Sequence, residues 1–154
     1  MYDQKAYSSA IRMLGGREHS EQELRRKLQR RYASQSDQQL DALIAELKEL
    51  NLLSDTRFTE SLIRSRVGKG YGPYFIQQEL ASKGVRKELI ASQLETADID
   101  WLGSAQELVE RKFPHAANDE VIWAKAIRFL QRRGFAGQTI NSVLGGRPAV
   151  QLLD

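Results

Sequence analysis

An internal repeat is the feature that most constrains how this chain can fold. Large apolar residues recur at steps of five, five and four residues in two places, 50 residues apart: Leu80, Val85, Ile90 and Leu94, then Leu130, Phe135, Ile140 and Leu144. In both places a glycine, Gly84 or Gly134, directly precedes the second of these residues. A period of this length is typical of small supersecondary units that stack on their neighbours.

Apolar residues at helical spacing fill the rest of the chain. Leu24, Leu28 and Tyr32 predict the apolar face of a second helix, with Arg26 and Arg30 on its opposite side. The clearest series predicts a third helix: Leu40, Leu43, Ile44, Leu47 and Leu50. Ser20 and Ser36 each stand three residues before a Glu or Gln, which is the capping-box pattern of a helix start. Together these patterns predict an all-α chain of about nine helices.

The repeat and the helix pattern together predict three tandem units of three helices. We place these units at residues 1–53, 54–98 and 99–146, followed by a loose C-terminal tail at 147–154. A unit of this size is small to hold a core alone. We therefore expect neighbouring units to pack on one another in an elongated, curved array.

Composition excludes several classes of protein. The 154 residues include no cysteine, so disulfides and cysteine-ligated zinc are excluded. No apolar stretch reaches 18 residues and the N-terminus lacks a signal-peptide core, so we expect a cytoplasmic protein with no membrane segment. The net charge of +3 permits an anionic partner without requiring one.

Basic residues are the candidate contacts to such a partner, and they cluster in each predicted unit. A single cation on a helix face is usually only solvated. Several weak phosphate contacts can nevertheless add up along one protein. The spacing of Lys125, Arg128 and Arg132 predicts one basic stripe along the eighth helix. The basic candidates are Arg26, Arg30, Arg57, Arg64, Arg66, Lys69, Lys83, Lys125, Arg128 and Arg132, and the aromatic Tyr71 in the glycine-rich turn is a further candidate.

The glycine-rich turn at 68–72 precedes a predicted helix that begins at Pro73. Free amides at a helix N-terminus favour anions. The turn has no preceding strand and no Gly-Lys-Ser/Thr ending, so it is not a nucleotide-phosphate loop. A hinge and a contact loop both remain open.

The sequence does not favour an enzyme. His19 and His115 each stand alone in a predicted turn, and we expect both at the surface. Neither belongs to a zinc-binding or acid-base motif. We therefore expect no catalytic site, no metal and no cofactor.

Several motifs resemble one known family. These are Arg17-Glu18-x-Ser20, Glu23-Leu24, Leu53-x-Asp55-x-Arg57-Phe58, Gly72-Pro73, Glu79-Leu80 and Lys83-Gly84. Together they are similar to the RecX family of bacterial recombination regulators, over residues 7–144. The resemblance implies an all-helical repeat protein that binds the RecA recombinase filament on single-stranded DNA. It also implies inhibition of ATP hydrolysis, strand exchange and co-protease activity, and so a role in DNA repair and the SOS response.

Three-helix units with short turns are also found in helix-turn-helix proteins, so a DNA-binding protein acting on duplex DNA is the alternative. The starts of the third helices (residues 38–40, 87–89 and 138–140) supply few of the side chains that read bases. We expect a monomer whose main partner is the recombinase filament, and weak direct DNA binding remains open.

Overall fold

The computed structural model describes residues 2–145. Its elements are α1 (Gln4–Gly16), α2 (Glu21–Arg31), α3 (Asp37–Glu49), α4 (Asp55–Gly68), α5 (Pro73–Ser82), α6 (Lys87–Ala97), α7 (Trp101–Lys112), a 3-10 helix (Ala116–Asn118), α8 (Glu120–Arg132) and α9 (Gly137–Leu144). No strand occurs in this part of the chain, so the predicted all-α fold with nine α-helices is confirmed. The predicted tail at 147–154 lies outside the described residues.

Serine caps begin α2 and α3, as the sequence predicts. Ser20 Oγ accepts the amide hydrogen of Glu23 at 3.1 Å, and Glu23 Oε1 accepts the Ser20 amide hydrogen at 3.4 Å. Ser36 and Gln39 form the same reciprocal pair. Each pair satisfies two amides that lack a partner within their own helix, and this defines where the helix begins.

Ser54 and Asp55, at the start of α4, have different roles. Ser54 Oγ accepts the Arg57 amide hydrogen and caps the helix. Asp55 instead accepts the amide hydrogen of Glu21, through its Oδ1 atom at 2.8 Å. Asp55 therefore satisfies a first-turn amide of α2 and ties α4 to that helix.

The chain forms two compact units that do not follow the sequence period. The first unit comprises the residues up to Ser61 together with Leu80–Gln93. The second comprises Leu62–Glu79 and the residues from Leu94 onward. All three boundaries fall inside helices, one each within α4, α5 and α6. The three repeats at 1–53, 54–98 and 99–146 stay a prediction drawn from the sequence.

The core of the first unit is built from the apolar faces of α1, α2 and α3. Its members are Ala6, Ala10, Leu24, Leu28, Leu40, Leu43, Ile44, Leu47 and Leu53. Most of these side chains have no solvent exposure at all. The apolar side chains of α2 and α3 therefore face the interior, as their spacing predicts.

The core of the second unit is built mainly from α7, α8 and α9. Its buried members are Ala105, Leu108, Val109, Ala116, Ala126, Leu130, Phe135 and Ile140. Phe113 and Phe129 pack against this core. Their two rings meet edge to face, with centroids 5.5 Å apart. On α8 the apolar side chain of Val121 does not join this core and is 63% exposed.

The two glycines of the sequence repeat end their helices in the left-handed region. The φ angle is +82° at Gly84 and +88° at Gly134. A residue with a Cβ atom adopts these angles only at a cost, so glycine is the residue that stops each helix most readily.

Each of these glycine turns presents a backbone carbonyl to the start of an earlier helix. In the first unit the Lys83 carbonyl accepts the Ser20 hydroxyl hydrogen at 2.7 Å. In the second unit the Arg133 carbonyl accepts the Gly72 amide hydrogen, also at 2.7 Å. Ser20 precedes α2 and Gly72 precedes α5, so the repeated sequence produces the same docking arrangement once in each unit.

Candidate functional site

Several cations of the first unit line a groove beside α2. The turn after α5 forms its other wall, and its volume is about 420 Å³. Its lining residues, which define the α2 groove, are Gln22, Glu23, Arg26, Lys27, Arg30, Ser82 and Lys83. The predicted contacts Arg26, Arg30 and Lys83 therefore come together, and the structure adds Lys27 to them.

Arg26 and Arg30 are exposed, as predicted from their place opposite the apolar face of α2. Among residues 2–145 neither guanidinium has an acidic side chain within ion-pair distance. The two side chains lie one helical turn apart, about 6 Å along the axis. Both positive charges are therefore available to a ligand.

Lys27 is held by a buried histidine. His19 is only 2% exposed, so the prediction of a surface position is wrong. Its Nδ1 atom lies 3.0 Å from the Arg17 carbonyl and its Nε2 atom lies 3.0 Å from Lys27 Nζ. A carbonyl only accepts, so Nδ1 donates and Nε2 accepts the ammonium hydrogen. Burial lowers the pKa of His19 and keeps this neutral form.

Glu23 is the one acidic side chain in the α2 groove, and its charge is already matched. Its carboxylate lies 2.6 Å from the Arg17 guanidinium and 3.5 Å from the Lys83 ammonium. Burial raises the pKa of Glu23, but the hydrogen bond and charge of Arg17 and the charge of Lys83 outweigh it and lower that pKa to about 2. Glu23 is thus ionised and neutralised within the fold.

Arg57, a predicted contact residue, serves the scaffold instead of standing free. Its Nε atom donates to Glu18 at 2.9 Å. Its two terminal nitrogens donate to the side-chain oxygen and to the carbonyl of Asn51, each at 2.9 Å. Asn51 has a φ angle of +61°. Arg57 therefore braces the turn that follows α3 in its left-handed conformation.

In the second unit the predicted cluster around the end of α4 is divided. Arg66 makes two hydrogen bonds with the Glu79 carboxylate, at 2.7 and 2.6 Å. The hydrogen bond with Glu79 raises the pKa of Arg66 further. Arg64 and Lys69 are exposed, and no ion pair forms at either within the described part of the chain.

The turn at 68–72 does not present free amides, so that part of the prediction is wrong. The amide of Gly72 donates to the Arg133 carbonyl and the amide of Tyr74 donates to the Gly134 carbonyl, at 2.7 and 2.9 Å. Inside the turn, the amides of Gly70 and Tyr71 donate to carbonyls near the end of α4. The amides expected to favour an anion are therefore already bonded.

Tyr71, another predicted contact residue, packs against side chains of the second unit. Its ring stacks on Phe75 with centroids 4.1 Å apart, and the Arg133 guanidinium lies 4.4 Å from its centroid on the ring face. Arg133 also lies over Phe129 and donates to the Lys69 carbonyl at 2.8 Å. Sequence reasoning missed Arg133, although it stands directly before Gly134 as Lys83 stands before Gly84.

The predicted basic stripe on α8 is present. Lys125, Arg128 and Arg132 are all exposed and, together with the exposed Val121, form one side of the helix. Within the described residues none of the three cations pairs with a carboxylate. We call this surface the α8 stripe.

The described residues, 2–145, offer neither a metal-binding cluster nor a membrane-spanning helix. No group of three or more potential ligands among histidine, aspartate and glutamate is placed to hold a metal ion there. No helix in that range is both long and apolar enough to cross a bilayer.

Comparison with known families matches nearly the whole helical region. Residues 6–37 match the first three-helix domain of RecX, residues 54–94 the second and residues 98–144 the third. The helices and the 50-residue period of this chain therefore correspond to three-helix domains in tandem.

The chain is also similar in sequence to curated proteins over most of their length. The chain is 37% identical over 140 residues to "Regulatory protein RecX" of Stenotrophomonas maltophilia strain K279a, covering 90% of this chain and 85% of that protein. It is 37% identical to the protein of the same name in Pseudomonas entomophila strain L48, covering 90% and 89%.

Solved structures show the same fold. The crystal structure of RecX from Lactobacillus salivarius has a TM-score of 0.77 and 22% identity, covering 97% of this chain and 95% of that one. A second crystal structure of a regulatory protein RecX has a TM-score of 0.75 and 20% identity, covering 90% and 70%. With the three domain matches and the curated relatives, these comparisons show that the chain belongs to the RecX family of regulatory proteins.

Proposed function

We propose that this protein binds the RecA recombinase filament on single-stranded DNA and inhibits its ATP hydrolysis, strand exchange and co-protease activity. The observation that carries the proposal is membership of a family whose curated members are named regulatory proteins. On this proposal the protein acts by binding, without a catalytic site, as a cytoplasmic monomer.

The surfaces of the protein suit this role. The α2 groove and the α8 stripe each hold several cations that no carboxylate in the described part of the chain neutralises. A recombinase filament on DNA offers phosphates and acidic side chains along its length. Cations at several places can therefore each add a salt-sensitive increment to the affinity.

A titration of recombinase ATPase activity tests the proposal. The protein is added to recombinase on single-stranded DNA, and ATP hydrolysis is followed as the ratio of regulator to recombinase rises. We expect inhibition well below one regulator per recombinase monomer. Absence of inhibition at equimolar protein would overturn the proposal. Sequence-specific footprints on duplex DNA that persist at moderate salt would instead favour a duplex-binding protein.

Charge reversals test which surface matters. We expect Arg26→Glu with Arg30→Glu, and separately Lys125→Glu with Arg128→Glu, to weaken inhibition while helicity by circular dichroism is unchanged. Arg86→Glu with Lys87→Glu is the matched control, because both residues are exposed and lie outside the α2 groove and the α8 stripe. If both double variants still inhibit the recombinase fully, these cations have no role in the proposed mechanism.

A further inference from the structure

The charges of the α2 groove are unbalanced after the fold has made its own pairs. Glu23 is neutralised by Arg17 and Lys83. Arg26 and Arg30 have no such carboxylate among the described residues. Among the described residues, the groove therefore carries a net positive charge that the fold does not balance.

Lys27 adds a third charge in a fixed position. Its partner His19 is neutral, so the hydrogen bond holds the ammonium group without cancelling its charge. A side chain that is already ordered loses less conformational entropy when a ligand binds. Lys27 is therefore a prearranged cation beside the two exposed arginines.

The groove lacks the apolar anchors of a protein interface. Binding energy between proteins is usually concentrated in a few buried aromatic or apolar side chains. The large exposed apolar residues described in the first unit, Leu50 and Leu52, do not line the groove. Charge without apolar contact suits a phosphodiester backbone, which is held mainly by Arg and Lys.

The adjoining surface extends the same pattern. A hollow of about 290 Å³ is lined by Met13, Lys27, Arg30 and Arg31. It has one apolar side chain on its wall and cations around it. A nucleotide presents the same combination, an apolar base face beside a charged phosphate.

We propose that the α2 groove binds the phosphodiester backbone of a single DNA strand, with phosphates at Arg26, Arg30 and Lys27. The volume of about 420 Å³ is of the order of one nucleotide, so the strand would run along the groove and continue beyond it. The groove is concave, whereas a protein that reads duplex DNA inserts a projecting helix or ribbon into a groove of the DNA. The choice of a single strand rests on the proposed function, since the strand is the one that the recombinase filament holds.

Fluorescence anisotropy with a labelled oligothymidylate, in the absence of recombinase, tests this inference. The variant is Arg26→Gln with Arg30→Gln, and Arg86→Gln with Lys87→Gln is the control with the same change in charge. We expect the test variant to bind about tenfold more weakly at low salt. Its plot of log affinity against log salt should also be shallower by about 1.4, because each single-strand phosphate contact contributes about 0.7.

Three results would overturn the inference. One is equal affinity and salt dependence in the wild type and the test variant, and a second is an equal loss in the control variant. The third is tighter binding of poly-glutamate or of a matched duplex through the same arginines, which would indicate an acidic protein or double-stranded DNA as the partner. Recombinase inhibition is measured separately: if it persists while strand binding is absent, the inference fails and the proposed function stands.

Discussion

The Ser20 hydroxyl donates to the carbonyl of Lys83, 63 residues later in the chain, at 2.7 Å. The same oxygen accepts the Glu23 amide hydrogen that caps α2. Ser20 has no solvent exposure, so both bonds are shielded from water. One side chain thus begins a helix and also attaches the glycine turn that forms the far wall of the α2 groove.

Replacing Ser20 should cost more than replacing an ordinary cap. Ser36→Ala removes the same capping box from α3 at an exposed position, and we expect a loss of about 1 kcal/mol. Ser20→Ala also leaves the Lys83 carbonyl without its partner, which adds about 1–3 kcal/mol. Denaturant unfolding of both variants gives the comparison. Equal losses would mean that the bond to Lys83 contributes nothing.

Gly72 is needed because of close packing within the second unit. A Cβ atom at Gly72 would lie 2.6 Å from the carbonyl carbon of Gly134, whereas one at Gly68 would meet nothing within 4 Å. We expect Gly72→Ala to lower the free energy of unfolding by about 2–3 kcal/mol. Gly68→Ala, in the same turn, should change it by less than about 0.5 kcal/mol. Thermal or denaturant unfolding distinguishes close packing from a flexible hinge, which would tolerate both changes.

His19 should make stability depend on pH. Its pKa in the folded protein lies below the usual 6.5, because burial disfavours the charged ring. The unfolded chain therefore binds the proton more readily, and stability is lost as the pH falls from about 6.5 toward the folded pKa. Denaturant unfolding between pH 7 and pH 5 should show this slope, and His115→Gln should retain it.

The direct check on His19 is an NMR titration of its imidazole in the wild-type protein. A transition below pH 6.5 is expected. A transition at or above 6.5 would contradict both the neutral form and the hydrogen bond from Lys27. His19→Gln should flatten the pH dependence of stability if the variant folds.

Glu23 should contribute stability that disappears in acid. Its folded pKa of about 2 lies below the ordinary 4.5, so the contribution is complete above about pH 4.5 and is lost as the pH falls toward 2. Glu23→Gln should therefore be less stable than the wild type by about 1–2 kcal/mol at pH 7. The difference should shrink between pH 4.5 and pH 3. Glu60→Gln, at an exposed position of α4, controls for the change in net charge.

Substitution of Arg66 and of Arg64 should distinguish a cation held in a salt bridge from an exposed, unpaired one. Arg66 makes a two-point contact with Glu79, and both side chains are less than a quarter exposed. We expect Arg66→Gln to cost about 1–2 kcal/mol of unfolding free energy. Arg64→Gln, two residues away and exposed, should change it by less than about 0.5 kcal/mol. If chemical denaturation gives similar losses of unfolding free energy for both variants, the contact between Arg66 and Glu79 adds no stability.

Local patterns predicted the helices well because their causes are local. The Ser20 and Ser36 caps act within one helical turn. The glycines Gly84 and Gly134 stop helices through their own backbone angles. Apolar spacing likewise identified the buried faces of α2 and α3, and with them the outward positions of Arg26 and Arg30. None of these features depends on a distant residue.

The state of the other candidate residues could not be predicted in this way. Arg57 binds Glu18, 39 residues away, and Lys83 binds Glu23, 60 residues away. His19 carries no sequence signal for burial. Its surroundings are decided by how the loop before α2 packs, so an isolated polar residue in a turn was wrongly expected at the surface.

By itself the sequence determined where the helices begin and end, which faces are apolar and that the pattern recurs after 50 residues. It also placed cations on several helices. Only the tertiary structure decided which cations stay free, because a salt bridge depends on the carboxylates that packing brings within reach. Arg66 and Lys83 have such neighbours, while Arg26 and Arg30 have none among the described residues. Helical periodicity orients a side chain, and tertiary packing selects its partner.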